Sequence, residues 1–162
     1  DGNAQANIML VGEAPGAEED KIGKPFVGAA GQLLNKMLSA INLDRNKVYI
    51  TNVIPWRPPN NRTPSNEEIL QCLPFLQKHI ELIKPKLIVL LGAVAAKSVL
   101  STPLSISKLR GRWHTYKSLY FNEYIQCIAT YHPAFLLRSP NYKKQSWEDL
   151  QMLQQKIFDE NL

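Results

Sequence analysis

Leu87-Ile88-Val89-Leu90-Leu91 is apolar at every position, the pattern of a central parallel strand covered on both faces. Parallel strands need crossover connections, so the surrounding sequence has to supply helices. It does. Ile8-Met9-Leu10-Val11, Val48-Tyr49-Ile50-Thr51-Asn52-Val53 and Ile125-Gln126-Cys127-Ile128-Ala129-Thr130-Tyr131 read as further strands. Between them, apolar residues recur at helical spacing over 32–38, 66–83, 94–100 and 146–158. Ser65 with Glu68 forms a capping box at the start of the second of these helices, and Pro85 lies just beyond its end. Residues 106–113 are basic and less regular, and 116–121 reads as an edge hairpin strand. The β-α alternation predicts a doubly wound α/β fold: a three-layer α/β/α domain spanning 1–162, with a mainly parallel central sheet.

At 162 residues the chain is long enough for one domain with a full core. It is 44% apolar without any long apolar run, which points to a soluble protein with no membrane span. Nineteen Lys and Arg against 14 Asp and Glu leave a net charge of +5, which permits nucleic-acid binding without requiring it. The two cysteines, Cys72 and Cys127, are too few for a disulfide framework and fit a reducing cytosol. The first residue is Asp1, so the lack of a signal peptide says little about location.

Three strand ends carry residues with chemistry. Gly12-Glu13-Ala14-Pro15-Gly16 follows the first strand, Asn52 closes the second, and His132-Pro133-Ala134 follows the last. Ligands of parallel α/β sheets bind beyond the carboxyl ends of the strands, so Glu13, Asn52 and His132 are expected in one crevice. Each has a second reading: Glu13 as a solvated acid in a tight connection, Asn52 as a cap of its own turn, His132 as a packed turn residue. The stretch from Pro55 to Pro64 holds four prolines in all, so it forms a stiff loop at the same edge.

Taken in order, Gly12-Glu13-Ala14-Pro15-Gly16, Gly23-Lys24-Pro25-Phe26-Val27-Gly28 with Gly31, Asn52-Val53, Arg57-Pro58-Pro59, Asn61-Arg62, Lys108-Leu109-Arg110-Gly111 and His132-Pro133-Ala134 resemble the uracil-DNA glycosylases of family 4. The resemblance runs over residues 8–150. It implies a hydrolase that cleaves the N-glycosidic bond of uracil in DNA and starts base excision repair. By that resemblance, Phe26 stacks on the flipped base, Asn52 reads its amide edge, and backbone near Ala14 touches it. His132 would hydrogen-bond uracil O2 and stabilise the departing anion, while Glu13 would stand beside the sugar and orient water. Glu19 matches a position near uracil C5, where it would exclude a thymine methyl; a solvated surface acid is the other reading. Arg62, Lys108, Arg110, Arg112 and Arg138 are the candidate phosphate contacts. Leu136, flanked by Phe135 and Leu137, is the candidate wedge into the DNA stack, with one of the three free to belong to the core instead.

The chain departs from the family pattern at its iron–sulfur cluster. Family 4 members typically hold the cluster on four cysteines, one just before Arg-Pro-Pro and one in the following helix. Here Cys72 has the helix position, but Trp56 precedes Arg57-Pro58-Pro59. The expectation is therefore a relative with no metal and no cofactor, with Trp56 packed into the cluster's space. A related group bonds covalently to uracil through a histidine in the loop after Arg-Pro-Pro. Asn60-Asn61-Arg62-Thr63-Pro64 offers none, so hydrolysis with turnover is expected. The competing class is a catalytically silent DNA-binding module of the same fold. Uracil-containing DNA, single- or double-stranded, is the expected partner of a monomer that stays off membranes, in bacterial cytoplasm with the nucleoid.

Overall fold

The computed structural model of the protein describes residues 1–120 and 122–162. Strands β1 (Ile8–Gly12), β2 (Tyr49–Asn52), β3 (Leu87–Leu91), β4 (Trp113–Lys117) and β5 (Tyr124–Thr130) form one sheet in the order β2-β1-β3-β5-β4. All neighbours are parallel except β4, which runs antiparallel to β5 at the edge. The helices are α1 (Ala17–Ile22), α2 (Ala29–Ala40), α3 (Asn66–Ile83), α4 (Ala93–Leu100), α5 (Ile106–Leu109), α6 (Pro133–Arg138) and α7 (Lys143–Asp159).

Because side chains alternate along a strand, the central strands feed two separate cores. Ile8, Leu10, Leu87, Val89, Leu91 and Ile128 pack with Leu34 and Leu38 of α2, Leu136 of α6 and Leu150 and Leu153 of α7. Met9, Val11, Ile88, Leu90, Cys127 and Ala129 pack with Cys72, Leu76 and Ile80 of α3 and Ala95, Ala96 and Val99 of α4. This two-sided burial is why β1 and β3 are apolar throughout. The three-layer α/β/α arrangement is the expected one.

Helix α3 has its expected bounds, with Ser65 Oγ accepting from Glu68 N–H and Lys84 closing it in a left-handed conformation at φ 50°. Other boundaries differ from the sequence reading. Helix α7 begins at Lys143 rather than Ser146, and residues 17–22, read as loop, form a helical turn whose C-cap is Gly23. The edge strand begins at Trp113, inside the segment read as irregular, because Trp113 pairs with Ile128 and the ladder continues to Lys117 opposite Tyr124. Phe121, the last residue of the expected edge strand, lies outside the described residues. Among the described residues no helix is long and apolar enough to cross a membrane.

Candidate active site

The register of the sheet sets the site. Gly12 of β1 lies opposite Asn52 of β2, and Leu91 of β3 opposite Thr130 of β5, so Glu13, Asn52, Gly92 and His132 all emerge at one edge. The order β2-β1-β3 reverses direction at β1, which opens the crevice there. Gly92 has φ 95°, and a Cβ on it would come within 2.9 Å of His132 Cβ. A side chain at Gly92 would therefore push the histidine out of the crevice.

Glu13, Ala14, Glu19, Arg62, His132 and Arg138 line a cavity of about 350 Å3, together with Pro58 and Asn61. Asn52 opens on a neighbouring cavity of about 290 Å3, and Pro15 and Glu19 form walls of both. Phe26, expected to stack on the base, lines neither cavity. Its ring stacks on the His132 imidazole with centroids 5.4 Å apart and planes at 28°. A Cβ on Gly12 would fall 2.5 Å from both Phe26 Cζ and Asn52 Oδ1, so glycine is what leaves room between ring and amide.

Electrostatics distinguish the three central side chains. The backbone N–H of Ala134 donates to His132 Nδ1 at 3.0 Å, so the neutral ring carries its proton on Nε2, free to donate. Burial, reinforced by Arg138, pushes the His132 pKa down to about 4, which keeps the ring neutral at physiological pH. Burial raises the Glu13 carboxyl above its ordinary value, and Arg138 works against that rise. Asn52 Oδ1 is buried without a hydrogen-bond partner among the described residues. An orphaned acceptor of this kind costs about 1–3 kcal/mol, which marks a position that a ligand donor completes.

Several expected site residues have other tasks. Glu19 is not a free surface acid: its carboxylate accepts from Gly16, Val27 and Gly28 N–H at 3.2, 2.9 and 2.6 Å, tying the starts of α1 and α2 together. Arg110 is not a free phosphate contact. It makes a two-pronged ion pair with Asp149, which is 2% exposed, at 2.8 and 3.0 Å, and it donates to Gln145 O. Thr130 Oγ1 completes that cluster by donating to Asp149 at 2.7 Å. Leu136, 1% exposed, belongs to the core under α6, while the neighbouring Leu137 is 45% exposed; the helical turn that buries one presents the other. Arg62 reaches the cavity but pairs with Glu68. Lys108 and Arg112 are exposed and line neither cavity.

The profile of the Uracil DNA glycosylase superfamily matches residues 1–151. This chain belongs to the uracil-DNA glycosylase superfamily. The Type-4 uracil-DNA glycosylase of Sulfurisphaera tokodaii is 46% identical over 160 residues, covering 96% of this chain and 72% of that protein. That of Thermotoga maritima is 46% identical over 143 residues, covering 86% and 70%. That of Pyrobaculum aerophilum is 42% identical over 156 residues, covering 94% and 79%.

At the two positions compared with the four-cysteine cluster typical of family 4 glycosylases, this glycosylase chain has one thiol, Cys72, and the indole of Trp56. Cys72 is 2% exposed inside the layer of Val53, Ile54 and Leu76, and Cys127 is fully buried on β5. Among the described residues no group of three His, Cys, Asp or Glu side chains could hold a metal. Trp56 is not the packed plug expected of it. It is 49% exposed beside Tyr49 and His79, because the chain leaves the core after Ile54 and the proline-rich loop carries the indole to the surface.

Proposed function

We propose that the protein is a uracil-DNA glycosylase that hydrolyses the N-glycosidic bond of uracil in DNA and so initiates base excision repair. The buried, unpartnered Asn52 Oδ1 carries this reading. Uracil N3–H is a donor suited to it, and the amide N–H2 of Asn52 can donate to uracil O4. Cytosine presents the reverse pattern and would leave both groups unpaired. A silent DNA-binding module would have no use for such an orphan.

The base enters extruded from the stack and lies against Phe26. As the C1′–N1 bond breaks, its electron pair moves onto the uracil ring, and His132 Nε2–H donates to O2, where negative charge accumulates. Neutral imidazole suits this task, since Nδ1 is already occupied as an acceptor by Ala134 N–H. The carboxylate of Glu13 stabilises the cationic sugar and orients the water that attacks C1′. Arg138, in the same cavity, supports ionised Glu13 and is available to a phosphate flanking the flipped nucleotide. The substrate is single- or double-stranded DNA, bound by a monomer, alongside the nucleoid in the cell. None of these steps calls on an iron–sulfur cluster; of the family's ligand positions compared above, Cys72 keeps its thiol and Trp56 does not.

Release of uracil from a labelled single-stranded oligonucleotide tests the reading. The parent chain is expected to liberate uracil with turnover and leave an abasic site, whereas Glu13→Gln is expected to do so ~10²–10³-fold more slowly in single turnover. A folded parent chain that binds the oligonucleotide without releasing uracil would overturn it.

A further inference from the structure

Phe26 sits in the left-handed region at φ 53°, a conformation that aromatic residues avoid, yet the residue is only 6% exposed and its ring stacks on His132. Something outside the loop has to hold it. Arg45, in the turn between α2 and β2, donates from Nη2 to Pro25 O at 2.6 Å and from Nη1 to Phe26 O at 2.9 Å. Its remaining donors reach Asn35 Oδ1 at 3.3 Å and Asp1 Oδ2 at 3.0 and 2.8 Å. These contacts match the five N–H donors of a guanidinium, so its planar fork is filled. From the opposite side Glu19 holds Val27 and Gly28 by their N–H groups, and Gly31 packs so close to the Phe26 carbonyl that a Cβ would collide with it.

We propose that Arg45 is a positioning residue for base recognition: by gripping the carbonyls of Pro25 and Phe26 it fixes the backbone that sets the Phe26 ring against Gly12 and His132. The inference rests on the uracil-excising reading and goes beyond it, because Arg45 lines neither Glu13 nor His132 and stands outside the motifs at the strand ends. The clamp acts on the carbonyls adjoining the strained residue, not on a distant part of the fold. Released, Phe26 can relax toward φ < 0, and the ring then leaves both the His132 face and the gap over Gly12. A base bound there would lose its stacking floor, and misplacement on the ångström scale costs catalysis about 10²-fold. Lysine cannot substitute. Its ammonium is a compact donor that cannot bridge two successive carbonyls and a carboxylate in one plane.

The test compares the parent chain with Arg45→Ala and Arg45→Lys, the latter keeping the charge opposite Asp1 in case the alanine variant does not fold. Three quantities are read: single-turnover cleavage of a uracil oligonucleotide, affinity for the same oligonucleotide carrying an abasic site, and the NMR shifts of the His132 ring protons, which the stacked Phe26 shields. Both variants are expected to cleave about 10²-fold more slowly with unchanged abasic-DNA affinity, and to show His132 ring protons moved out of the Phe26 ring current. Millimolar methylguanidinium is expected to restore part of the rate of Arg45→Ala. A folded variant in which the His132 protons keep their parental shifts would overturn the proposal, whatever its rate. The NMR readout needs no activity, so a parent chain that fails to cleave uracil sinks the functional reading while leaving the clamp itself to be judged.

Discussion

Asn52 and His132 differ in what the fold has done to each. The amide keeps an unpaired oxygen in a buried place, and the imidazole keeps an unpaired N–H because its other nitrogen is taken. Asn52→Ala removes both directional contacts to uracil, so cleavage should fall by the equivalent of about 1–3 kcal/mol for each lost pairing, while DNA affinity, dominated by phosphates, stays near the parent value. A matching loss of DNA binding, measured by fluorescence anisotropy, would make Asn52 a structural residue. The titrating groups set a second expectation. With His132 down at about 4 and Glu13 raised, the acid limb of kcat/KM should follow Glu13 and show no inflection near the ordinary histidine value of 6.5. A pH–rate profile that bends near 6.5 and loses that bend in His132→Asn would contradict the half-buried, neutral imidazole.

At the scale of elements, α6 and the segment joining α5 to β4 were both expected to face DNA, and each turns out divided between structure and surface. In α6, Leu136 fills the core and Leu137 is left exposed next to the crevice that holds His132. Leu136→Ala should therefore destabilise the fold by about 2–5 kcal/mol, whereas Leu137→Ala should leave stability intact and slow excision from duplex more than from single-stranded DNA, where no stack has to be opened. After α5, Arg110 ties the chain to α7 through Asp149. Breaking a buried pair strands the remaining charge, so Arg110→Ala should cost about 3–5 kcal/mol in chemical denaturation with little change in the salt dependence of DNA binding. Arg112, two residues on and exposed, should show the reverse. Should Arg110→Ala unfold at the parental denaturant concentration, the ion pair is not holding α7 in place.

For the whole molecule, the enclosed His132 links stability to pH. Unfolded, the ring gains a proton below 6.5; folded, it resists protonation until about 4. Between those values the unfolded state binds more protons, so this contribution to stability is complete above 6.5 and declines as pH falls through the window, by up to about 3 kcal/mol. Replacement by asparagine, which retains a capping acceptor for Ala134 N–H, should flatten that part of the curve. The difference in Tm between the two proteins across the window isolates the effect from Glu13 and Asp149, and a difference that does not vary with pH would mean that His132 is solvated in the folded state.

Strand and helix positions were legible in the chain because they depend on local periodicity: β1 and β3 are apolar throughout, and α3 carries its own caps. That Glu13, Asn52 and His132 would reach one edge was legible too, for a geometric reason: parallel strands end at the same edge, whatever the loops between them do; that Asn52 opens on a cavity beside the one lined by Glu13 and His132 was not. Charge and apolarity, by contrast, do not name their partners. Arg110 looks like Arg112 in sequence and is separated from it by a carboxylate 39 residues away. Leu136 and Leu137 are the same residue type on different sides of one turn. Arg45 sat in an ordinary turn, and only the folded chain brings it to two carbonyls 19 and 20 residues earlier. Trp56 was expected to pack because its position resembles that of a cluster ligand, but burial is decided by what surrounds a side chain, and the loop leaves the core before reaching it. Local pattern determined the elements and the edge on which chemistry collects; long-range partners, which no window of sequence contains, decided which side chains remain free to perform it.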